Sequence, residues 1–237
     1  MQPKFYERKA TVNVISSLMR QHFRRLGLAA VVTVAALVAL AQYHDPDTWA
    51  RRDTWQHPAE VMDALHLAPG ATAADIGAGE GYFTERMAQR VGASGKVYAV
   101  DIDAGALSTL RALKSREHLQ QVEVVEGSED DPHLPANSLD AVLIVNAYHE
   151  FRQHDAMLRA IAGALKPNGR LGIIEKADDP GQPRESYERR HHLPEPFVRD
   201  DLARDGFTRI EKRPDFHPGG SREGEVWYFL VAQPAAQ

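Results

Sequence analysis

Cysteine is absent from all 237 residues. That excludes a disulfide framework, a zinc site built on thiolates and a cysteine nucleophile, whichever compartment holds the protein. Biased composition and sustained heptads are absent too, so collagen-like, coiled-coil and largely disordered chains are excluded. An excess of basic charge is also missing. The formal net charge is -5, and residues 1–41 hold six Lys/Arg (Lys4, Arg8, Lys9, Arg20, Arg24, Arg25) against the single acid Glu7. Residues 42–237 therefore carry 22 basic and 32 acidic side chains, a net of -10. A body of that sign is a poor partner for phosphate backbones, and no nucleic-acid partner is expected. The 11 histidines remain as candidate metal ligands.

Long apolar runs are scarce as well. The one present, LGLAAVVTVAALVALA over residues 26–41, has 16 residues without a charge. As a helix it would extend about 24 Å, short of the roughly 20 residues of a comfortable bilayer span. RQHFRR precedes it and Ala39-Leu40-Ala41 ends it. A basic segment, an apolar stretch and a small-x-small end are the parts of a secretory signal, and Met19 offers a start that gives the signal ordinary length. Arg24-Arg25 fits a twin-arginine signal badly. Residues 1–41 are thus read as a signal peptide or an uncleaved membrane anchor contacting the bilayer through 26–41, with residues 42–237 as one domain. The expected location is exported (periplasmic) or membrane-anchored, with the cytoplasm as the alternative.

From residue 58 the chain alternates helix-period and strand-like segments. Strands are expected over 72–76, 96–100, 122–126, 139–145 and 171–175, each nearly all apolar, with helices over 58–65, 82–91, 107–113 and about 153–165 between or beside them. Lys166-Pro167-Asn168-Gly169 reads as a turn. Apolar strands joined by crossover helices imply a parallel sheet covered on both faces. After a helix over 195–205, strands over 208–212 and 226–232 suit an antiparallel pair. No repeat and no second domain is visible.

In such a sheet, ligands bind outside the carboxyl ends of the strands where the winding reverses, and GAGEG (77–81) lies at that spot. Gly77 and Gly79 let a ligand approach the backbone, and the next helix offers free amides. Asp101 ends the following strand, where a carboxylate can accept both hydroxyls of a ribose. A dinucleotide fingerprint wants a small residue where Tyr82 stands. Asp75 and Glu80 put negative charge around the turn, which disfavours a pyrophosphate and suits a cationic ligand such as a sulfonium bearing an ammonium group.

AADIGAGEGYFT (73–84), GKVYAVDID (95–103), LDAVLIVNAYHEF (139–151) and LKPNGRLGIIEK (165–176) together resemble the class I S-adenosylmethionine-dependent methyltransferases, over about residues 53–175. The resemblance implies an α/β, Rossmann-like fold: a seven-stranded, mostly parallel sheet with the last strand antiparallel and helices on both faces. It implies S-adenosylmethionine as cofactor, with Asp75, Gly77, Gly79 and Gly81 along the methionine part. Asp101 would meet the ribose, Ile102 the adenine face and Asn146 the amino-acid end. Relatives often place an acid after the third strand to meet the adenine amine; Ser128 aligns there, so Glu129 or Asp130 is the expected substitute. Arg52-Asp53-x-Trp55-Gln56-x-Pro58 also resembles a short segment of small bacterial methyltransferases of undefined substrate, where it would fold over the cofactor.

Methyl transfer from a sulfonium mainly requires nucleophile and methyl held in line in a dry site, with a base only for a protonated nucleophile. His149, just past Asn146, is the candidate base; the other reading is that it caps or packs the loop. Tyr148 is a candidate wall of the acceptor pocket, and Glu150 orients His149 or faces water. The polar stretch 177–196 is long for a plain connection, and Tyr187, His191 and His192 in it are candidates to face an acceptor. Metal binding by His191-His192 is disfavoured, because adjacent residues rarely point to one ion and no third histidine stands nearby in sequence, so no metal is expected. The reading is a methyltransferase for a small-molecule acceptor, since the cofactor fold consumes almost the whole body. The alternatives are an NAD-type oxidoreductase and a non-catalytic S-adenosylmethionine-binding protein. Export conflicts with a cofactor made in the cytoplasm.

Overall fold

The computed structural model describes residues 46–213 and 225–235. The apolar run over 26–41 and the cleavage expected after it lie outside them. None of the helices among the described residues is long and apolar enough to cross a membrane.

Helices α1 (Pro46–Gln56) and α2 (Pro58–Ala64) lead into strand β1 (Thr72–Ile76). Then follow α3 (Tyr82–Val91), β2 (Lys96–Asp101), α4 (Ala104–Arg116), β3 (Val122–Glu126), β4 (Leu139–Val145), a single 3₁₀ turn (Tyr148–Glu150), α5 (His154–Ala164) and β5 (Leu165–Lys176). The short α6 (Arg184–Glu188), α7 (Glu195–Arg204), β6 (Phe207–Lys212) and β7 (Trp227–Pro234) complete the order. One seven-stranded sheet runs β3-β2-β1-β4-β5-β7-β6, with β1 parallel to β2 and β4, and β7 antiparallel to both neighbours. The expected architecture is the observed one.

The apolar pattern explains the layers. β1 and β4 bury nearly every residue because helices cover both faces. Phe83, Met87 and Val91 recur every four residues, share one face of α3 and are buried where that helix packs on β1 and β2. α4 buries Leu107, Leu110 and Leu113 and starts at Asp103, whose carboxylate accepts the Ala106 N–H at 2.8 Å. Pro58 opens α2 at a position where its missing N–H costs nothing.

Two local expectations change. Leu165 does not end α5; it opens β5 opposite Leu139. Lys166-Pro167-Asn168-Gly169 still turns, but inside β5: pairing jumps from Leu139 with Leu165 to Ala141 with Arg170, so the turn bulges from a continuous ladder. The winding reverses between β1 and β4, whose carboxyl ends deliver the glycine turn and Asn146 to the same edge.

Candidate cofactor site

The turn after β1 is held by backbone geometry that glycine permits. Gly77, Gly79 and Gly81 all have positive φ, at 71°, 54° and 86°. Their roles differ. A Cβ on Gly77 would run into the Ala147 side chain, and one on Gly79 would project into open space along the cleft. On Gly81 it would strike Leu113 and Leu110 of α4, so Gly81 serves packing and lines neither the cleft beside this turn nor the small cavity at Arg52. Asp101 ties the turn to β2: Oδ2 accepts the Gly79 N–H at 2.9 Å, and Oδ1 accepts the N–H groups of Ile102 and Asp103 at 2.8 and 3.0 Å.

A cleft of about 510 Å³ opens beside this turn, within the usual range for small-molecule sites. Gly77, Gly79, Asp101, Ile102, Ser128, Glu129 and Asn146 line it. Ile102 is 59% exposed, an apolar side chain offered to the cleft instead of the core. Ser128 and Glu129 both reach the cavity, whereas Asp130 is engaged with the Ser128 hydroxyl at 2.8 Å. Asn146 adopts φ 52°, its N–H bonds the Ile174 carbonyl, and its buried side-chain Oδ1 has no partner. A buried acceptor left unbonded costs free energy, and a donor from a ligand would satisfy it.

Asp75 is buried at the end of β1 and accepts the Thr84 hydroxyl at 2.7 Å. Burial pushes its carboxyl up to about 6, against the pull of the Thr84 bonds and Arg52, and Asp101 adds to the rise. On the far side of the turn, Asp53 receives the Tyr82 hydroxyl at 2.6 Å and both Arg86 nitrogens at 3.0 and 3.1 Å. The Tyr82 ring has the Arg52 guanidinium 4.0 Å and the Arg86 guanidinium 4.3 Å from its centroid. Tyr82, the residue that argued against a dinucleotide fingerprint, therefore docks the Arg52-Asp53 segment onto the first turn of α3. Arg52 lines a smaller cavity of about 140 Å³ with Asp75, Gly77, Gly79 and Glu80, and its buried Nε is unbonded. The sequence pointed to this segment without singling out Arg52, whose signal is a cation just before the helix-start segment that packs on Tyr82.

The NAYHEF residues behave differently from expectation. Tyr148 does not line the cleft; it is fully buried, donates to Asp201 at 2.9 Å and packs on Phe151 and His154. Its ring is large and apolar, and its hydroxyl finds a carboxylate in the core, so burial wins. His149 is also buried, with Nδ1 2.9 Å from Glu175 Oε2 and Nε2 3.1 Å from His191 Nδ1. Burial disfavours its charged form, but the Glu175 bond and charge, aided by Glu150, outweigh this and raise its pKa. Glu175, at the end of β5, was missed as a functional residue; its signal is an acid closing an otherwise apolar strand. Tyr187 does not face a ligand. It is buried, donates to the Asp179 carbonyl and accepts the Gln182 N–H, both at 2.8 Å, and so holds the 177–196 stretch in place.

Residues 73–169 match the methyltransferase domain family. The chain is 32% identical over 116 residues to a ubiquinone/menaquinone biosynthesis C-methyltransferase of Hahella chejuensis, covering 48% of this chain and 47% of that one. It is 32% identical over 154 residues to an uncharacterized methyltransferase of Mycobacterium tuberculosis, covering 60% of each. A SAM-dependent methyltransferase from Aquifex aeolicus has the same fold, with a TM-score of 0.64 at 23% identity over 81% of this chain and 100% of that one. Over residues 73–169 the chain is thus similar in sequence to a methyltransferase domain, and it shares the fold of an S-adenosylmethionine-dependent methyltransferase. It spans about half the length of the curated relatives it matches.

The cleft fits the S-adenosylmethionine that the sequence resemblance implies. The orphaned Asn146 Oδ1 matches an ammonium donor, the open space at Gly79 admits backbone-close contact, and exposed Ile102 offers a face to an adenine. Asp75 and Asp101 supply negative charge to a cation.

Asp75 also yields a pH prediction for the cofactor-free protein. Its native pKa, about 6, lies above its ordinary value of 3.8, so the native state holds the proton more tightly than the unfolded chain. The resulting stability is full below about pH 4 and is lost as pH rises through about 6. Asp75→Asn removes the ionisation and keeps an oxygen for Thr84. It is expected to exceed the parent in stability by up to about 3 kcal/mol at pH 8, with the gap closing toward pH 4. Urea unfolding at both pH values checks this, and a gap independent of pH contradicts it.

Proposed function

We propose that this protein transfers a methyl group from S-adenosylmethionine to a small-molecule acceptor. The observation that carries the reading is the unpartnered Asn146 Oδ1 in a cleft whose other walls are the glycine turn, Asp101 and Ile102. When bound, the cofactor supplies an electrophilic methyl on a sulfonium. The chain's task is placement. Asp101 holds a ribose hydroxyl, Ile102 covers the adenine with Glu129 at its amine, Asn146 accepts from the ammonium, and Arg52 pairs with the carboxylate. Asp75 supports that end by charge, while Gly77 and Gly79 keep the approach open. Glu150, Phe151, Arg152 and Met157 form the opposite rim, where the acceptor enters and water is displaced. His149 and Tyr148 act as positioning residues: both ring nitrogens of His149 are engaged, and the Tyr148 hydroxyl is committed to Asp201.

Calorimetry of the full chain with S-adenosylmethionine and with NAD, followed by a labelled-methyl assay against small-molecule extract, tests the reading. Binding of S-adenosylmethionine alone with label recovered in a small molecule supports it. NAD binding points to the oxidoreductase alternative, and cofactor binding without transfer points to a non-catalytic binder.

Export, by cleavage after Ala41 or through an uncleaved anchor, is part of the proposal. The cations lie on the amino side of the apolar run, which keeps that end cytoplasmic and sends the body across. Intact mass and fractionation from a bacterial host are expected to give either a soluble exported form beginning at Gln42 or a full-length membrane form. Full-length soluble protein in the cytoplasm would sink both.

A further inference from the structure

Two groups of three metal-capable side chains occur among the described residues. In the first, His154, Asp155 and Asp201, the carboxylates already have cations: Arg204 bonds both acids and Arg184 bonds Asp201. That group is an ion-pair network. The second group, His149, Glu150 and His191, has no Lys or Arg paired with it among the described residues, and neither does Glu175 behind it. We propose that His149, Glu150 and His191 bind one divalent transition-metal ion at the rim of the cofactor cleft.

The donor geometry carries the proposal. His149 Nε2 and His191 Nδ1 are 3.1 Å apart, and each lies 3.6 Å from Glu150 Oε1. A point equidistant from three atoms so spaced lies about 2.0 Å from each, the bond length of zinc to imidazole nitrogen and carboxylate oxygen. Three protein donors around such a point leave a coordination position open. Two imidazoles and a carboxylate suit zinc, cobalt(II) or iron(II) better than calcium or magnesium, which prefer all-oxygen sets.

The surroundings of His149 match a ligand held by an outer carboxylate. Glu175 Oε2 sits on Nδ1 at 2.9 Å, and Oε1 accepts the His149 backbone N–H at 3.3 Å, so the ring is fixed in position. With the proton on Nδ1, the lone pair of Nε2 faces His191, and a bound ion replaces the 3.1 Å contact between the two imidazoles. Both side chains of this pair are 0% exposed. A carboxylate taken wholly out of water is costly, and a metal-bound imidazole gives it a partner bearing positive charge. His191 and Glu150 are 65% and 63% exposed, so the ion has an entry path. Glu150 also lines the cleft, which places the ion at its edge. The sequence could not show this, because the third ligand beside His191 is not its neighbour His192 but His149, 42 residues earlier. Resting on the methyltransferase reading, the acceptor class is a small molecule whose hydroxyl or carboxylate oxygen takes the open position.

The test uses the untagged full-length chain stripped with a chelator. Zn²⁺ is titrated by calorimetry and Co²⁺ by its visible absorption. One ion per chain is expected, with a dissociation constant of about 1 μM or tighter. His191→Ala and Glu150→Ala alter exposed side chains and are expected to weaken binding by about a hundredfold and to remove the Co²⁺ bands, while Glu175→Gln weakens it about tenfold. His192→Ala, outside the cluster, is expected to change affinity less than about threefold. S-adenosylmethionine affinity is measured in the same proteins, so a failure of the metal site leaves the methyltransferase reading standing, and the reverse. Absence of a stoichiometric ion, or binding by His191→Ala as tight as the parent's, overturns the proposal.

Discussion

Replacing Asp101 by alanine is expected to weaken S-adenosylmethionine binding by about tenfold or more. The carboxylate stands at the end of β2 with its oxygens directed by the amides of Gly79, Ile102 and Asp103. Those bonds pre-set its orientation and leave one acceptor site, on Oδ2, for a ligand. One further bond from a ribose hydroxyl to this charged acceptor is worth about 1.5 to 3 kcal/mol, and every 1.4 kcal/mol is tenfold in affinity. The substitution also releases the Gly79 amide, loosening the turn that must lie close to the ligand. Asp101→Asn, which keeps one oxygen, should fall between parent and alanine variant. Calorimetry decides: a folded alanine variant within threefold of the parent removes Asp101 from the ribose.

Glu175→Ala in the metal-free protein is expected to lower stability by about 3 to 5 kcal/mol, the usual cost of stripping one partner from a buried ion pair. Glu175 and His149 are both completely inaccessible, and the carboxylate also satisfies the His149 backbone N–H. Its loss strands two donors in the core and leaves a cavity beside Tyr228. Glu175→Gln, which can still accept at one oxygen, should recover part of the loss, and Glu175→Leu with His149→Leu should cost less than Glu175→Ala alone, because no donor is then stranded on the ring. Urea unfolding with unchanged slope measures each difference. A loss under about 1 kcal/mol would mean that the pair contributes little to holding the 3₁₀ turn against β5.

Burial accounts for where the site residues departed from expectation. Tyr148 and Tyr187 are polar enough to read as ligand-facing in a sequence, yet each has a core partner that sequence distance hides: Asp201 lies 53 residues from Tyr148, and Phe197 packs on the Tyr187 ring. Gly81 reads as one of three equivalent glycines, but the leucines of α4, two elements later, determine that it serves packing. Asp101, Ile102 and Asn146 were legible because each directly follows or closes an apolar strand, and a strand's carboxyl end has a fixed place in a parallel sheet.

What the sequence by itself determined is local or follows from local order. Apolar runs separated by helix-period segments specify a doubly covered parallel sheet, and the glycines after β1 with the acid that closes β2 point to a cleft at the winding reversal, since periodicity and turn chemistry act over a few residues. Only the tertiary structure decided which side chains meet. Placing β5 beside β4 brings Glu175 under His149, and the fold of residues 177–196 returns His191 to the ring's other nitrogen, across 26 and 42 residues. Contacts at such separations depend on strand order and register, which arise from packing the whole core and leave no periodic mark in the chain.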